Sequence, residues 1–241
     1  MKYNVKEGLT SCFFWLYFRV IVVSDNLQTK DLKTGTTTAA VIIRDAVVLA
    51  ADMRASMGHI AYDEESKKLY KITDNIALTN AGAVGDSLTL IRFLRSQAKL
   101  YEIEREITMN PKAMASYLSN ILNANRFFPF VVQFLLAGVN NGPEIFELTP
   151  YGGVLERKKY AVSGSGTELA LSVLDNNYRE GLSEEEGIQL AVKAIVAAKK
   201  RDIYSGGRSV SVMIIRKDGI RELEEKEAAG FIGKEKSLIE K

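Results

Sequence analysis

Residues 33–43 read KTGTTTAAVII, in which Gly35 is followed by three threonines that run directly into an apolar segment. A second apolar run, residues 46–51, begins after the polar pair Arg44 and Asp45. Two short apolar runs separated by a tight polar turn predict a pair of antiparallel strands. We predict that the Gly35–Thr36 bond is cut, so that Thr36 becomes N-terminal at the start of the first strand and acts as a nucleophile.

The composition limits the classes of protein to which the chain can belong. The 241 residues are 46% hydrophobic and 26% charged, which is typical of a soluble globular domain. Basic and acidic residues number 32 and 30, and no basic stripe stands out, which argues against a nucleic-acid surface. Cys12 is the one cysteine, which excludes an internal disulfide framework and favours a reducing, cytoplasmic compartment.

The chain also has one histidine, His59. A Ser-His-Asp or Cys-His mechanism would therefore depend on this residue alone. Its setting, between Gly58 and Ile60, predicts a surface or strand residue instead of a catalytic base.

The most apolar stretch, residues 12–23 (CFFWLYFRVIVV), raises the question of a secretory signal. It is too short for a membrane-spanning helix, Arg19 interrupts it, and no A-x-A-like cleavage site follows. Residues 24–33 are polar and are interpreted as an exposed leader. An alternative is that translation starts at Val23 from a non-ATG codon, which would make residues 1–22 a start-site artefact. We assign residues 1–35 to a leader removed on maturation.

The rest of the chain alternates between groups of strands and pairs of helices. Helices are predicted to begin near Asp86, at Asn110 with Pro111, near Thr167, and at a Ser183–Glu186 capping box, the last ending at Gly206 and Gly207. Further strands are predicted at residues 67–72, 76–79, 130–139, 144–148, 153–157, 160–163, 210–215 and 220–223.

This order favours an α+β fold over an alternating parallel sheet. A four-layer αββα sandwich, with two antiparallel sheets covered by helices on both outer faces, would bury every apolar face. We assign residues 36–225 to one catalytic domain. Residues 226–241 are assigned to a charged C-terminal tail, because the sequence after Leu223 is charged and is expected to trail outside the domain.

An N-terminal threonine carries its own base. Its free α-amine has a reference pKa of about 7.7–8.0 and can take the hydroxyl proton directly or through water. The scheme needs no histidine, metal or organic cofactor. It does need a nearby cation, a carboxylate to hold that cation, and backbone N–H groups directed at the oxyanion.

Several motifs together supply these groups, in an order known from one family. They are Gly35 with the three threonines, Asp52-Met53-Arg54, Lys67-Lys68-Leu69, NAGAVGD at residues 80–86, SGSG at residues 163–166 and RDIYSGG at residues 201–207. The sequence therefore resembles a proteasome β subunit of the archaeal and bacterial type, an N-terminal-nucleophile (Ntn) threonine hydrolase.

The resemblance implies a role for each matching residue. Thr36 would be the nucleophile, freed when its own hydroxyl attacks the Gly35 carbonyl, which leaves 241 − 35 = 206 residues. Asp52 would pair with Lys68, and Gly82 would donate its N–H to the oxyanion. The remaining implied site residues are Ser165, Asp202 and Ser205 around the amine, and Ala55, Ser56 and Asn80 in the pocket for the residue before the scissile bond.

The resemblance also implies an assembly. Paired seven-membered β rings, containing this and other β subunits, would be flanked by rings of α subunits. An ATP-dependent unfoldase would deliver unfolded proteins, and neither nucleic acid nor membrane is an expected partner. Two alternatives stay open: an unprocessed structural β subunit of the same particle, and a small-molecule amidase of the same nucleophile class. Asn80 leaves the cleavage preference open, because a small polar pocket floor does not favour large apolar side chains.

Overall fold

The computed structural model describes residues 35–239, with side chains up to residue 232. The predictions for the leader, Cys12 and the translation start lie outside these residues. In the described part of the chain, no helix is both long and apolar enough to cross a membrane.

The strands of the described residues are short, with two to eight residues each. They are β1 (Thr37–Ile42), β2 (Val47–Asp52), β3 (Ala55–Met57), β4 (Ile60–Asp63), β5 (Leu69–Lys71), β6 (Ile76–Thr79), β7 (Ala81–Gly82), β8 (Val132–Val139), β9 (Pro143–Leu148), β10 (Val154–Arg157), β11 (Tyr160–Gly164), β12 (Val210–Arg216) and β13 (Gly219–Glu222). The helices are α1 (Val84–Arg105), α2 (Pro111–Ala124), α3 (Thr167–Asn177), α4 (Glu184–Arg201) and α5 (Glu225–Ile239).

The strands form two main antiparallel sheets. The first has the order β11-β1-β2-β12-β13, and the second has the order β10-β9-β8-β6-β5, with β7 paired to β8. Within the first sheet, Thr38 pairs with Ala51 and Ile42 with Val47, so β1 starts beside the end of β2. This register brings the residues around Thr36 next to Asp52.

Three hydrophobic clusters separate four layers. One, which includes Leu49 and Leu135, fills the space between the two sheets. Another packs the outer face of the first sheet against α3, α4 and α5, and the last packs the outer face of the second sheet against α1 and α2. Ala39 and Ala40 belong to different clusters because successive strand residues point to opposite faces. The predicted αββα sandwich is confirmed.

Two helix starts follow their predicted caps. The Asn110 side chain accepts a hydrogen bond from Ala113 N–H at 2.8 Å, and Ser183 and Glu186 form the capping box. Helix α1 begins slightly before Asp86, at Val84, and its buried face carries Leu90, Ile91 and Leu94.

Two predictions about chain ends were wrong. Helix α4 stops at Arg201, because Asp202 is extended (φ −77°, ψ 117°), so Gly206 and Gly207 do not terminate it. The sequence after Leu223 does not trail outside, because the backbone of α5 is helical and Ala228 is 1% exposed against the core of the first sheet. The alanine and aromatic side chains of that amphipathic stretch outweigh its charge, and Glu225, Lys226 and Glu227 at its start are exposed.

Candidate active site

The site is built around Asp52, which ends β2 and is fully buried. Its Oδ1 accepts hydrogen bonds from Thr37 N–H at 2.9 Å and from Lys68 Nζ at 2.7 Å. Its Oδ2 accepts from Gly206 N–H at 2.8 Å. Buried carboxylates are stable only when paired and hydrogen-bonded, and Asp52 meets both conditions. Asp52 therefore connects the start of β1 to Lys68, directly before β5, and to the loop after α4.

Lys68 is 4% exposed and precedes β5. Besides Asp52, its Nζ donates to the Arg54 carbonyl at 2.5 Å. Burial lowers the pKa of Lys68 from its ordinary value, because the charged form loses hydration, and the charge of Asp52 opposes this effect. The pair thus places a buried cation beside the start of β1, which is the environment that favours a neutral amine and an ionisable hydroxyl there.

Thr36 is 8% exposed and is positioned through its backbone by Ser165. Ser165 N–H donates to the Thr36 carbonyl at 2.7 Å, and Thr36 N–H donates to Ser165 Oγ at 3.2 Å. The Thr36 hydroxyl donates to the Gly35 carbonyl oxygen at 2.7 Å. The nucleophile predicted from the sequence therefore lies against the peptide bond that it is predicted to cleave.

Asp202 connects the remaining hydroxyl groups. Its Oδ2 accepts from Ser165 Oγ at 2.6 Å and from Ser205 Oγ at 2.5 Å. Because the Ser165 proton is used in this bond, its oxygen lone pairs remain to accept the Thr36 N–H. Ser205, expected around the amine, also hydrogen bonds to Thr37 Oγ1 at 2.6 Å.

Thr37 was missed by sequence reasoning. Neighbouring residues of a strand face opposite sides, so Thr36 and Thr37 contribute to different faces of the same site. The available signal was the run of three threonines, which offers a hydroxyl on each face. A second group that was missed is the Gly206 N–H, because a backbone donor carries no side-chain signature.

Gly82 adopts a backbone conformation that favours glycine, with φ of 125°. A Cβ atom on it would lie 2.2 Å from the Val131 carbonyl oxygen. Ala83 N–H donates to that oxygen at 2.7 Å, so Ala83 and Val131 form a hydrogen-bonded antiparallel pair. Such pairs alternate with non-hydrogen-bonded ones along the strands, so the adjacent pair, Gly82 with Val132, is not hydrogen-bonded. The register therefore directs the Gly82 N–H away from β8.

A small cavity of about 40 Å³ adjoins the threonine. Its lining includes Gly35, Thr36, Ala55, Ser56, Lys68, Asn80, Gly82 and Val84. The structure thus brings together all three residues predicted for the substrate pocket. The Asn80 side chain hydrogen bonds to Ser87, a buried partner on α1 that the sequence did not indicate. The Ser56 hydroxyl donates to the Tyr204 carbonyl at 3.0 Å.

His59 lies outside this network. It is exposed in the turn between β3 and β4 and lines a separate cavity of about 180 Å³ with Arg54 and Tyr204. A larger cavity of about 640 Å³ lies at the opposite end of the first sheet, by residues 43–46. Neither contains the groups that converge on Thr36.

Comparisons with known proteins agree with this geometry. A family model described as proteasome subunit matches residues 32–215. The chain is 45% identical over 213 residues to proteasome subunit beta of Methanocaldococcus vulcanius, covering 88% of this chain and 95% of the relative. It is 46% identical over 190 residues to proteasome subunit beta 1 of Pyrococcus furiosus (79% and 96% covered). It is 43% identical over 205 residues to proteasome subunit beta 1 of Thermococcus kodakarensis (85% and 100% covered).

Proposed function

The chain belongs to the family of proteasome β subunits, and on that premise we propose that it is a proteolytic subunit of the core particle. Its activity would be hydrolysis of peptide bonds in unfolded proteins by an N-terminal threonine. The observation that carries the proposal is the 2.7 Å hydrogen bond from the Thr36 hydroxyl to the Gly35 carbonyl oxygen, close to the buried Lys68–Asp52 pair.

Maturation begins when Thr36 Oγ attacks the Gly35 carbonyl carbon. The bond from that carbon to the Thr36 nitrogen breaks, the nitrogen takes a proton, and an ester joins Gly35 to the hydroxyl oxygen. Water then hydrolyses the ester, which releases the leader with a carboxyl group at Gly35 and leaves Thr36 with a free hydroxyl and a free amine.

In the mature enzyme the Thr36 amine accepts the hydroxyl proton as Oγ attacks a substrate carbonyl. The Gly82 N–H stabilises the oxyanion, and the charge of Lys68 favours the neutral amine. The departing substrate amine takes a proton, and water hydrolyses the acyl ester. Ser165 and Asp202 orient the amine, Ser205 acts on the same site through Thr37, and the small cavity beside Asn80 receives the residue before the scissile bond.

Assembly belongs to the same proposal. Partners would be proteasome α subunits and other β subunits in stacked seven-membered rings, with an ATP-dependent unfoldase at the ends and a cytoplasmic location. The second candidate function is an unprocessed structural subunit.

Reading the N-terminus of the chain assembled with candidate α subunits tests the proposal. We expect Thr36 as the first residue, a mass of 206 residues, and peptidase activity. Thr36→Ala should retain the leader and lose activity by more than about 1000-fold, because the nucleophile is absent. A persistent leader in the assembled wild-type particle would support the structural alternative, and leader removal at Gly35–Thr36 in Thr36→Ala would refute self-processing.

A further inference from the structure

Lys199 is a half-buried cation to which the mechanism above gives no role. It lies in the last turn of α4, and its Nζ donates to the Gly207 carbonyl at 2.9 Å and to the Ser209 carbonyl at 2.8 Å. Its neighbour Lys200, on the same helical turn, is exposed. The two lysines therefore have the same charge and helix position, and only one of them binds the chain segment that follows the helix.

That segment, residues 205–209, holds two parts of the active site together. Gly206 N–H donates to Asp52 Oδ2 at 2.8 Å, and the Gly206 carbonyl accepts from Met53 N–H at 3.1 Å. Ser205 donates to Asp202 Oδ2 at 2.5 Å. The position of the segment thus fixes one oxygen of each active-site carboxylate.

The far end of the segment is held at several points. Arg208 N–H donates to the Glu64 carbonyl at 3.1 Å, and Val210, which follows the segment, pairs with Asp52 in the first sheet. Gly207 has no side chain, and Ser209 Oγ is buried with no hydrogen-bond partner among residues 35–239. The carbonyls of residues 207 and 209 both accept from the Lys199 ammonium, and hydrogen bonds from a charged donor are stronger than those between neutral groups. The two bonds from Lys199 add to these anchors, and they fix the Gly207 and Ser209 carbonyls on either side of Arg208.

Lys199 is also electrostatically coupled to the site. Burial lowers its pKa, and the charge of Asp52 opposes the shift, with smaller effects from Arg54 and Glu64. Asp52 therefore interacts with two ammonium groups: Lys68 in direct contact, and Lys199 through space by its charge.

We propose that Lys199 is a positioning residue for peptide hydrolysis: its charged ammonium binds the Gly207 and Ser209 carbonyls and thereby holds the Gly206 N–H on Asp52. This inference rests on the proposed proteolytic function. Because Asp52 pairs with Lys68, displacement of the segment would disturb the cation beside Thr36 without removing any group that contacts substrate.

The first test compares Lys199→Met with Lys200→Met in the assembled particle. For Lys199→Met we expect kcat to fall by about tenfold with KM unchanged within about twofold, since small displacements of positioned groups act on the reacting geometry. Lys200→Met should match wild type. Equal kcat in both variants and wild type would overturn the proposal, whereas an inactive wild-type particle would overturn the proposed function instead.

A second test separates charge from side-chain bulk. The Lys199→Cys particle is alkylated after assembly with 2-bromoethylamine, which rebuilds a lysine-like side chain with a thioether in place of one methylene. We expect alkylation to restore kcat at neutral pH and to shift the alkaline fall in kcat to lower pH, because the thioether sulfur lowers the pKa of the ammonium. Wild type treated identically is the control for alkylation elsewhere in the particle. Failure to restore kcat, or restoration with an unshifted alkaline limb, would contradict a role for the charge.

Discussion

The two ends of the first sheet each carry an acid–base pair, and only one is suited to catalysis. At the end near Thr36, the side chains of Lys68 and Asp52 are 5% and 0% exposed and lie 2.7 Å apart. At the other end, beside the 640 Å³ cavity, Arg216 and Glu184 are bidentate at 2.6 Å but 34% and 35% exposed. The contact distances are nearly equal, so burial is what distinguishes the pairs.

Burial changes what a charge can do. Water screens the Arg216–Glu184 pair, and such exposed pairs contribute little to stability or to neighbouring ionisations. The buried pair acts in a medium of low dielectric constant, where the Lys68 charge acts on Thr36 with little screening. The cost is that neither buried partner can be removed alone without leaving an uncompensated charge.

The largest effect is expected from breaking the buried pair. Lys68→Met leaves Asp52 charged and buried, so we expect a loss of about 3–5 kcal/mol in the free energy of unfolding and no detectable peptidase activity. Urea unfolding and a peptidase assay measure the two effects. Asp52→Asn should be similarly inactive, because the amide cannot hold the lysine charge. Wild-type stability in Lys68→Met would contradict this account of burial.

An intermediate effect is expected at the cleavage site, where close packing leaves no room for a side chain at position 35. A Cβ atom on Gly35 would lie 1.6 Å from Tyr204 Cβ and 2.7 Å from Tyr204 Cα. Gly35→Ala should therefore displace the scissile carbonyl and slow leader removal by about 100-fold. Intact mass followed over time measures the rate.

Gly142→Ala is the matched control for this variant. Nothing lies within 4 Å of the corresponding Cβ position, so it should mature at the wild-type rate. Wild-type processing of Gly35→Ala would show that Tyr204 moves aside and that the close contact has no part in cleavage.

The smallest effect is expected from the exposed pair. Glu184→Gln and Arg216→Met should each change the free energy of unfolding by about 0.2–1 kcal/mol and leave peptidase activity unchanged. The same urea and peptidase assays apply. A loss of activity in either variant would mean that the two ends of the sheet are coupled, and the contrast between them would fail.

The outcome of the sequence predictions follows the same division between local and distant interactions. The strands around Thr36 and the caps at Asn110 and Ser183 were predictable, because period-two patterning and capping act over a few residues. The end of α4 was not predictable from such local patterns. Gly206 and Gly207 allow the backbone to come close to the end of β2, where Gly206 N–H donates to Asp52, 154 residues away in sequence. The tail was misassigned because composition does not reveal that Ala228 packs on a distant sheet.

By itself, the sequence determined the layer order, the threonine and the motifs that lie around it. Only the tertiary structure decided that Asp52 is fully buried, that Ser205 hydrogen bonds to Thr37, and that Lys199 binds the loop beyond α4. The physical reason is that periodicity sets the face on which a side chain lies. Its partner, and the water around it, depend on which distant segment packs against that face.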